Sequence, residues 1–104
     1  MINILIYISH IYQGDIKNFE RAKKITHDLQ VNDLENTYIC PLLIFSHLQY
    51  GEIGYEAEIE ACIDILSVCD KLVVASDLSK GVCKEIDFAN LVGMDVIYLE
   101  DATE

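Results

Sequence analysis

Two short segments hold most of the residues capable of chemistry. The first reads Ser9-His10-Ile11-Tyr12-Gln13-Gly14-Asp15 and follows an apolar run that ends in Tyr7 and Ile8. Its hydroxyls, its glycine and the helix start behind it suit a phosphate or a sugar oxygen. It is neither G-x-G-x-x-G nor a P-loop, and a plain solvated βα connection fits the same composition. The second reads Asp77-Leu78-Ser79-Lys80-Gly81-Val82-Cys83-Lys84-Glu85-Ile86. Glu85 falls in the first turns of a helix, near the carboxyl edge of a sheet. There a glutamate can enter a crevice, where partial burial raises its pKa toward a useful range. The same position equally suits a carboxylate that complements the helix dipole or pairs with a lysine.

The other candidates are fewer. His10 belongs to the first segment. His27 reads as a helix-surface residue, and His47 either lines a pocket or is a partly buried structural histidine. Cys83 sits at a helix start, which lowers a thiol pKa, but no histidine–acid pair accompanies it, so no cysteine nucleophile is expected. Cys40, Cys62, Cys69 and Cys83 form no C-x-x-C pair, which argues against zinc. Without a secretory signal they read as reduced, mostly buried thiols of a cytoplasmic protein. The acidic residues between Glu52 and Asp64 read as a solvated helical face, not a metal site. No metal and no cofactor is expected.

The elements that must position these residues follow from periodicity. Residues 2–8 are β-branched and apolar on both faces, as in a strand covered from both sides. From Asp15 the pattern turns helical, with Phe19, Ala22, Ile25 and Leu29 on one face. After a polar turn at 32–36, residues 37–40 form a short strand stopped by Pro41. Residues 42–50 are apolar but aperiodic and receive no assignment. Residues 56–69 read as a helix whose stripe is Ala57, Ala61, Ile65 and Val68, with Cys62, Leu66 and Cys69 beside it. Its acidic first turns suit the helix dipole. Residues 71–76 form another doubly buried strand and 82–91 a helix with Val82, Ile86 and Ala89 on one side. Gly93 is a C′ stop, 95–99 the last strand, and 100–104 a frayed acidic tail.

The order β-α-β-α-β-α-β predicts an α/β fold: a Rossmann/flavodoxin-like parallel sheet of about four strands with helices on both faces. Ligands of such sheets sit beyond the carboxyl ends of the strands, where strand order reverses. That places the loops at 9–15 and 77–81 at the site. With 104 residues the chain fits one domain spanning 1–104. Its formal charge is −11, with no Lys or Arg between Lys24 and Lys71. That excludes a nucleic-acid polymer and an anionic membrane surface as partners. No stretch reaches the ~20 apolar residues of a membrane span, and residues 1–8 lack the basic region of a signal peptide. A small anionic ligand held by backbone N–H groups remains compatible.

The same two loops carry a family resemblance. Tyr7-Ile8-Ser9-His10-Ile11-Tyr12-Gln13-Gly14-Asp15, followed by Asn18, Arg21 and Ala22, resembles the opening of the nucleoside 2-deoxyribosyltransferase-like superfamily. It is most similar to a small, often phage-borne branch of the DUF4406 type, with an opening like Y-I-A-S-P-Y-R-G-D and then N-x-x-R-A. Cys69-Asp70-Lys71-Leu72-Val73-Val74 resembles its C-D-x-L-W-V strand. The segment from Ser79 through Glu85 and Ile86 to Ala89 resembles its S-x-G-M-x-x-E-I-x-x-A segment, and Gly93 to Tyr98 its closing strand. The likeness runs in order along nearly the whole chain.

The resemblance implies N-glycosidic chemistry on a nucleoside or nucleotide. Glu85 would attack the anomeric carbon, giving a glycosyl-enzyme intermediate resolved by another base or by water. Tyr7 would hold that carboxylate. Ser9, His10, Tyr12, Gln13, Gly14, Asp15, Asp77, Ser79 and Gly81 would contact the ligand. Serine at position 79 points to a 5′-phosphate and hydrolysis, and Gly81 would let the backbone approach the ligand. There are departures. Gln13 stands where the family has an arginine, Ile11 where it has a proline, and Cys62 where the transferases have a catalytic aspartate. These fit an alternative, a protein that binds a nucleotide without cleaving it, such as a phage counter-defence protein that sequesters a nucleotide signal. A third reading is a partner-binding domain with a vestigial pocket. Relatives complete their sites from a neighbouring subunit, which implies a homo-oligomer, with Phe45, Leu48 and Tyr50 as an interface or a pocket wall. The cations near the site would be Arg21, Lys80 and Lys84.

Overall fold

The computed structural model describes residues 3–99. Its centre is β1 (Leu5–Ser9), a strand paired on both sides. β2 (Thr37–Ile39) lies along one edge of β1, and β3 (Lys71–Val74) along the other, followed by β4 (Asp95–Tyr98). The order is β2-β1-β3-β4 and every pairing is parallel. Tyr7 stands opposite Ile39 on one side and Leu72 on the other. The chain leaves β1 toward β2 and later returns to β3 on the far side, so strand order reverses between β1 and β3. The expected α/β class with a parallel sheet is the fold observed.

Among the described residues four helices accompany the sheet: α1 (Ile16–Val31), α2 (Pro41–Ile44), α3 (Tyr55–Leu66) and α4 (Lys80–Val92). Alternation along β1 divides the core into two layers. Ile6 and Ile8 pack with Val73 and Ala75 against Ala22, Ile25 and Leu29 of α1 and Leu42 and Leu43 of α2. Tyr7 packs with Leu72 and Val74 against Leu66 of α3 and Val82 and Ala89 of α4. Helices on both faces follow from right-handed crossovers that run in opposite directions from the centre.

Local signals set the helix ends. The Asp15 carboxylate accepts from the Lys17 N–H at 2.9 Å and caps α1; the Ser79 hydroxyl accepts from the Val82 N–H at 3.2 Å and caps α4. Gly93 takes the left-handed conformation (φ 75°) that closes α4. Asp70, just before β3, accepts from the Leu5 N–H at 2.8 Å and pins the start of β1.

Several boundaries differ from the sequence expectation. Residue 2, expected in the first strand, and residues 100–104, expected as a tail, lie outside the described residues. Ser9 belongs to β1, not to the loop. Residues 42–50, left unassigned, begin in the single turn of α2 behind Pro41 and continue as turns. The apolar stripe of the 56–69 helix is corrected. Ala57 is exposed and Val68 is 67% exposed, whereas Ala61 and Ile65 of the expected stripe are half-buried, Leu66 is buried, and Ile59, Cys62 and Ile63 are half-buried. The helix ends at Leu66, so Val68 falls out of helical phase. β4 is an open edge, with Ile97 and Tyr98 exposed. Among the described residues no helix is long and apolar enough to cross a membrane.

Candidate functional site

The site grows from the alternation of β1. Tyr7 and Ser9 are two residues apart and face the α4 layer. On α4, Val82, Glu85 and Ala89 follow helical spacing and form its buried stripe. A carboxylate therefore occupies a core-facing position, with only 6% of Glu85 exposed. An ionised group so placed is costly unless donors meet it. Both oxygens are met. The Tyr7 hydroxyl donates to Oε2, and the Ser9 hydroxyl donates to Oε1 at 2.6 Å. Tyr7 itself is fully buried and stands behind the carboxylate, away from the cavity.

The electrostatics follow from burial. Desolvation pushes the Glu85 carboxyl above its ordinary value, while the Ser9 and Tyr7 hydrogen bonds pull it back in part. Desolvation, and then the nearby Glu85 charge, hold the Tyr7 phenol well above its usual range, so it stays a neutral donor. The Cys62 thiol is pushed up to about 11, first by burial and then by Glu85, and is no thiolate.

In front of Glu85 opens a cavity of about 270 Å³, close to the lower end of small-molecule pockets, roughly 300 Å³. It lies beyond the carboxyl ends of β1 and β3, at the reversal of strand order. Ser9, His10, Tyr12 and Gln13 form one wall, and Ser79, Lys80, Gly81 and Glu85 another. The third wall is Tyr50, Tyr55, Glu58 and Cys62. A second cavity of about 240 Å³ adjoins it, walled by Phe19, Phe45, Leu48 and again Tyr12, Tyr50 and Glu58. Tyr12 and Tyr50 meet edge to face with centroids 5.4 Å apart. Gly14 makes that meeting possible. Its φ is +74°, and a Cβ there would lie 3.0 Å from the Tyr50 ring.

His10 is 6% exposed, and its Nδ1 lies 2.7 Å from the Ile11 carbonyl oxygen. A carbonyl only accepts, so Nδ1 carries the hydrogen and Nε2 presents a lone pair, without a partner among the described residues. Burial lowers its pKa, assisted by the Arg21 charge, and the ring is neutral. Nearby, Ser76 Oγ accepts from the Ile11 N–H at 2.8 Å and ties the two loops together.

Of the residues singled out from the sequence, Tyr7, Ser9 and Glu85 form one hydrogen-bonded group. His10, Tyr12, Gln13, Ser79 and Gly81 line the cavity in front of it. Gly14 supports its wall from below. Asp15 serves as the α1 cap, and Asp77 is exposed; neither lines the cavity. Gly81 faces open enough space that a Cβ would make ordinary contact with Ile59 at 3.5 Å. Phe45, Leu48 and Tyr50 wall the second cavity. His47 is exposed beside the Phe45 ring and His27 is exposed beside Asp28. Lys80 and Lys84 lie over the Tyr55 ring at 5.3 and 5.2 Å from its centroid. Arg21 is exposed and off the wall.

Two wall residues, Glu58 and Tyr55, were not singled out from the sequence. In the sequence Glu58 reads as one of a run of solvated acids. The signal that finds it is its position four residues before Cys62, on the same helical face. Among the described residues no cluster of three or more His, Cys, Asp or Glu is placed to hold a metal, and all four cysteines are free thiols.

No curated protein and no solved structure matches the chain. The model of one family, described as a domain of unknown function, matches residues 4–99. That span takes in all four strands, all four helices and both cavities, so the chain belongs to the DUF7768 family.

Proposed function

We propose that the protein breaks the N-glycosidic bond of a nucleoside or nucleotide, with Glu85 as the nucleophile and water or a second base as the acceptor. The observation that carries this reading is the buried Glu85 carboxylate, held on both oxygens by Tyr7 and Ser9 and facing a cavity at the reversal of strand order. Two of its roughly four lone-pair positions are engaged, which leaves others for attack. Fixed donors hold the group in one geometry, as attack on an anomeric carbon requires. Tyr7 touches no ligand in this scheme and is a positioning residue. The resemblance of both loops to the nucleoside 2-deoxyribosyltransferase-like superfamily supports the same chemistry. So does a ligand wall of hydroxyls, a neutral histidine and Lys80, which suits a sugar and a single phosphate. A cytoplasmic setting fits the four free thiols.

Binding without turnover is the second reading. It is favoured by Cys62, a neutral thiol on the cavity wall where the resembling transferases carry an aspartate. One experiment separates the two. The protein is incubated with a panel of nucleosides and 5′-monophosphates, and free base is followed by chromatography. Base release that disappears in Glu85→Gln supports the enzyme. Saturable binding without base release supports the binding protein, and neither result removes both readings.

A further inference from the structure

We infer that His10 reads the sugar of the ligand: its Nε2 accepts from the 2′-hydroxyl, so that the site takes a ribonucleotide in preference to the 2′-deoxy counterpart. The inference rests on the reading of a nucleoside or nucleotide ligand above, cleaved or only bound, and specifies its sugar.

His10 directly follows Ser9, the last residue of β1. A histidine as buried as this one is expected to have both ring nitrogens satisfied. Only Nδ1 is, through the Ile11 carbonyl, and that bond fixes the tautomer and leaves Nε2 as an acceptor. Nε2 is closed to solvent and has no partner among the described residues. Thr26 Oγ1 shares that condition, but Thr26 lies on α1 and on the wall of neither cavity. Among the described residues His10 therefore carries the one buried, unpartnered polar atom of the first cavity's wall. It lines that cavity and not the aromatic one beside it. It thus shares a chamber with Glu85, and the part of the ligand that meets Glu85 is the sugar.

A lone pair selects its partner. Phosphate oxygens offer only lone pairs of their own, and a neutral Nε2 cannot donate to them. A hydroxyl donates. The 2′-hydroxyl stands on the carbon next to C1′, the atom that Glu85 faces in the proposed reaction. A 2′-deoxy sugar brings a CH₂ group there and leaves the buried acceptor unpaired, which selects against it. The resembling motif has serine at this position, and a serine hydroxyl can turn to donate or to accept. With Nδ1 committed, the His10 ring can only accept, so the demand for a donor belongs to this chain. The side chains that cover Nε2 must part for the hydroxyl. The turn after His10 is the segment able to yield, because Gln13, Gly14 and Asp15 are exposed and the turn is closed by Asp15 N–H to the Tyr12 carbonyl at 3.0 Å.

The test compares adenosine and cytidine 5′-monophosphates with their 2′-deoxy counterparts. Affinity is measured by calorimetry, or kcat/KM by base release where the nucleotide is cleaved. Wild type is expected to favour the ribonucleotide by roughly 10–100-fold, and His10→Phe to bring that ratio within about threefold of unity. His10→Gln, whose amide oxygen can stand in for Nε2, should keep most of the preference. Nitrogen NMR of the wild-type ring needs no variant. The Nε2 resonance should shift on saturation with the ribonucleotide, remain that of an unprotonated nitrogen, and stay in place with the 2′-deoxy form. No preference in wild type, a preference for the 2′-deoxy form, or a preference that survives in His10→Phe overturns the role of His10. So does an Nε2 that gains a proton on binding, the sign of a phosphate contact. Each of these leaves the nucleotide reading standing. Neither binding nor base release with any of the four overturns that reading, and this inference with it.

Discussion

Removing the Tyr7 hydroxyl isolates the central interaction of the site. In Tyr7→Phe the ring still fills its fully buried place between β1 and α3, but Glu85 Oε2 loses its donor. A hydrogen bond to a buried charged group contributes about 1.5–3 kcal/mol, and for a chain of this size each kcal/mol moves Tm by roughly 4–8 °C. Tyr7→Phe is therefore expected to lower Tm by about 10 °C at neutral pH. The sign of the pH dependence is fixed by Glu85. Its folded-state pKa is raised, so the stability linked to its proton is fully present below the ordinary carboxylate value and is lost as pH rises through the raised one. Tyr7→Phe raises that pKa further, because one of the two donors that oppose desolvation is gone. The deficit of Tyr7→Phe should shrink as pH falls and Glu85 takes up its proton. Glu85→Gln should melt with a flatter pH dependence than wild type and, at neutral pH, at a higher temperature. The assay is thermal or urea unfolding of wild type, both single variants and the double variant at two pH values. A coupling of about 1.5 kcal/mol or more is expected between the two positions. Additive single effects, or a Tyr7→Phe deficit that ignores pH, would refute the argument that Tyr7 acts through a buried carboxylate.

Three further outcomes follow from the same geometry. Gly14→Ala should cost about 1–2 kcal/mol in urea unfolding, since alanine resists the left-handed backbone and its Cβ would press on Tyr50; Tyr50→Ala in the same chain should recover the steric part. Ser79→Ala should cost about 1 kcal/mol through the lost α4 cap, a loss that Ser79→Asp should largely restore. On the proposed function, Lys80→Ala should weaken binding of a nucleoside 5′-monophosphate more than that of the nucleoside, measured by calorimetry, because among the described residues Lys80 is the one lysine on the cavity wall.

Strict periods made part of the site legible in the sequence. The apolar run over 2–8 places Tyr7 in a doubly covered strand, but it stops short of Ser9, so the face that Tyr7 and Ser9 share follows only from the observed end of β1 at Ser9. The helical pattern over 82–91 gives Val82, Ile86 and Ala89 as the inner side, whereas the observed α4 buries Val82, Glu85 and Ala89 and leaves Ile86 half-buried. The loops at 9–15 and 77–81 were located by the rule of strand reversal alone. The wall on the α3 side was less legible. That helix keeps Glu56, Glu60 and Asp64 on one exposed face and spreads its apolar residues, Ala57, Ala61 and Ile65 beside Ile59, Cys62 and Ile63, round the rest, so composition does not decide which of them meet the sheet. Packing does, and it selects the larger side chains. The same choice turns Glu58 toward the cavity, against the pattern of its acidic neighbours. Residues 42–50 show no period because they hold one helical turn and then reversals, each fixed by local backbone bonds such as Leu48 N–H to the Phe45 carbonyl at 3.0 Å.

The floor and the roof of the cleft are built from material of unequal endurance. Tyr7 and Ser9 belong to the strand paired on both sides, whose amides are sealed by neighbours and should exchange with solvent only when the whole chain opens. The segment carrying Tyr50 is closed by short-range backbone bonds such as Glu52 N–H to the Gln49 carbonyl, and Gly51 and Gly54 are exposed. Its amides should exchange far sooner. A ligand of the proposed kind would then enter by loosening the roof while the charge beneath keeps its donors, so access and the alignment of Glu85 would draw on separate reserves of rigidity.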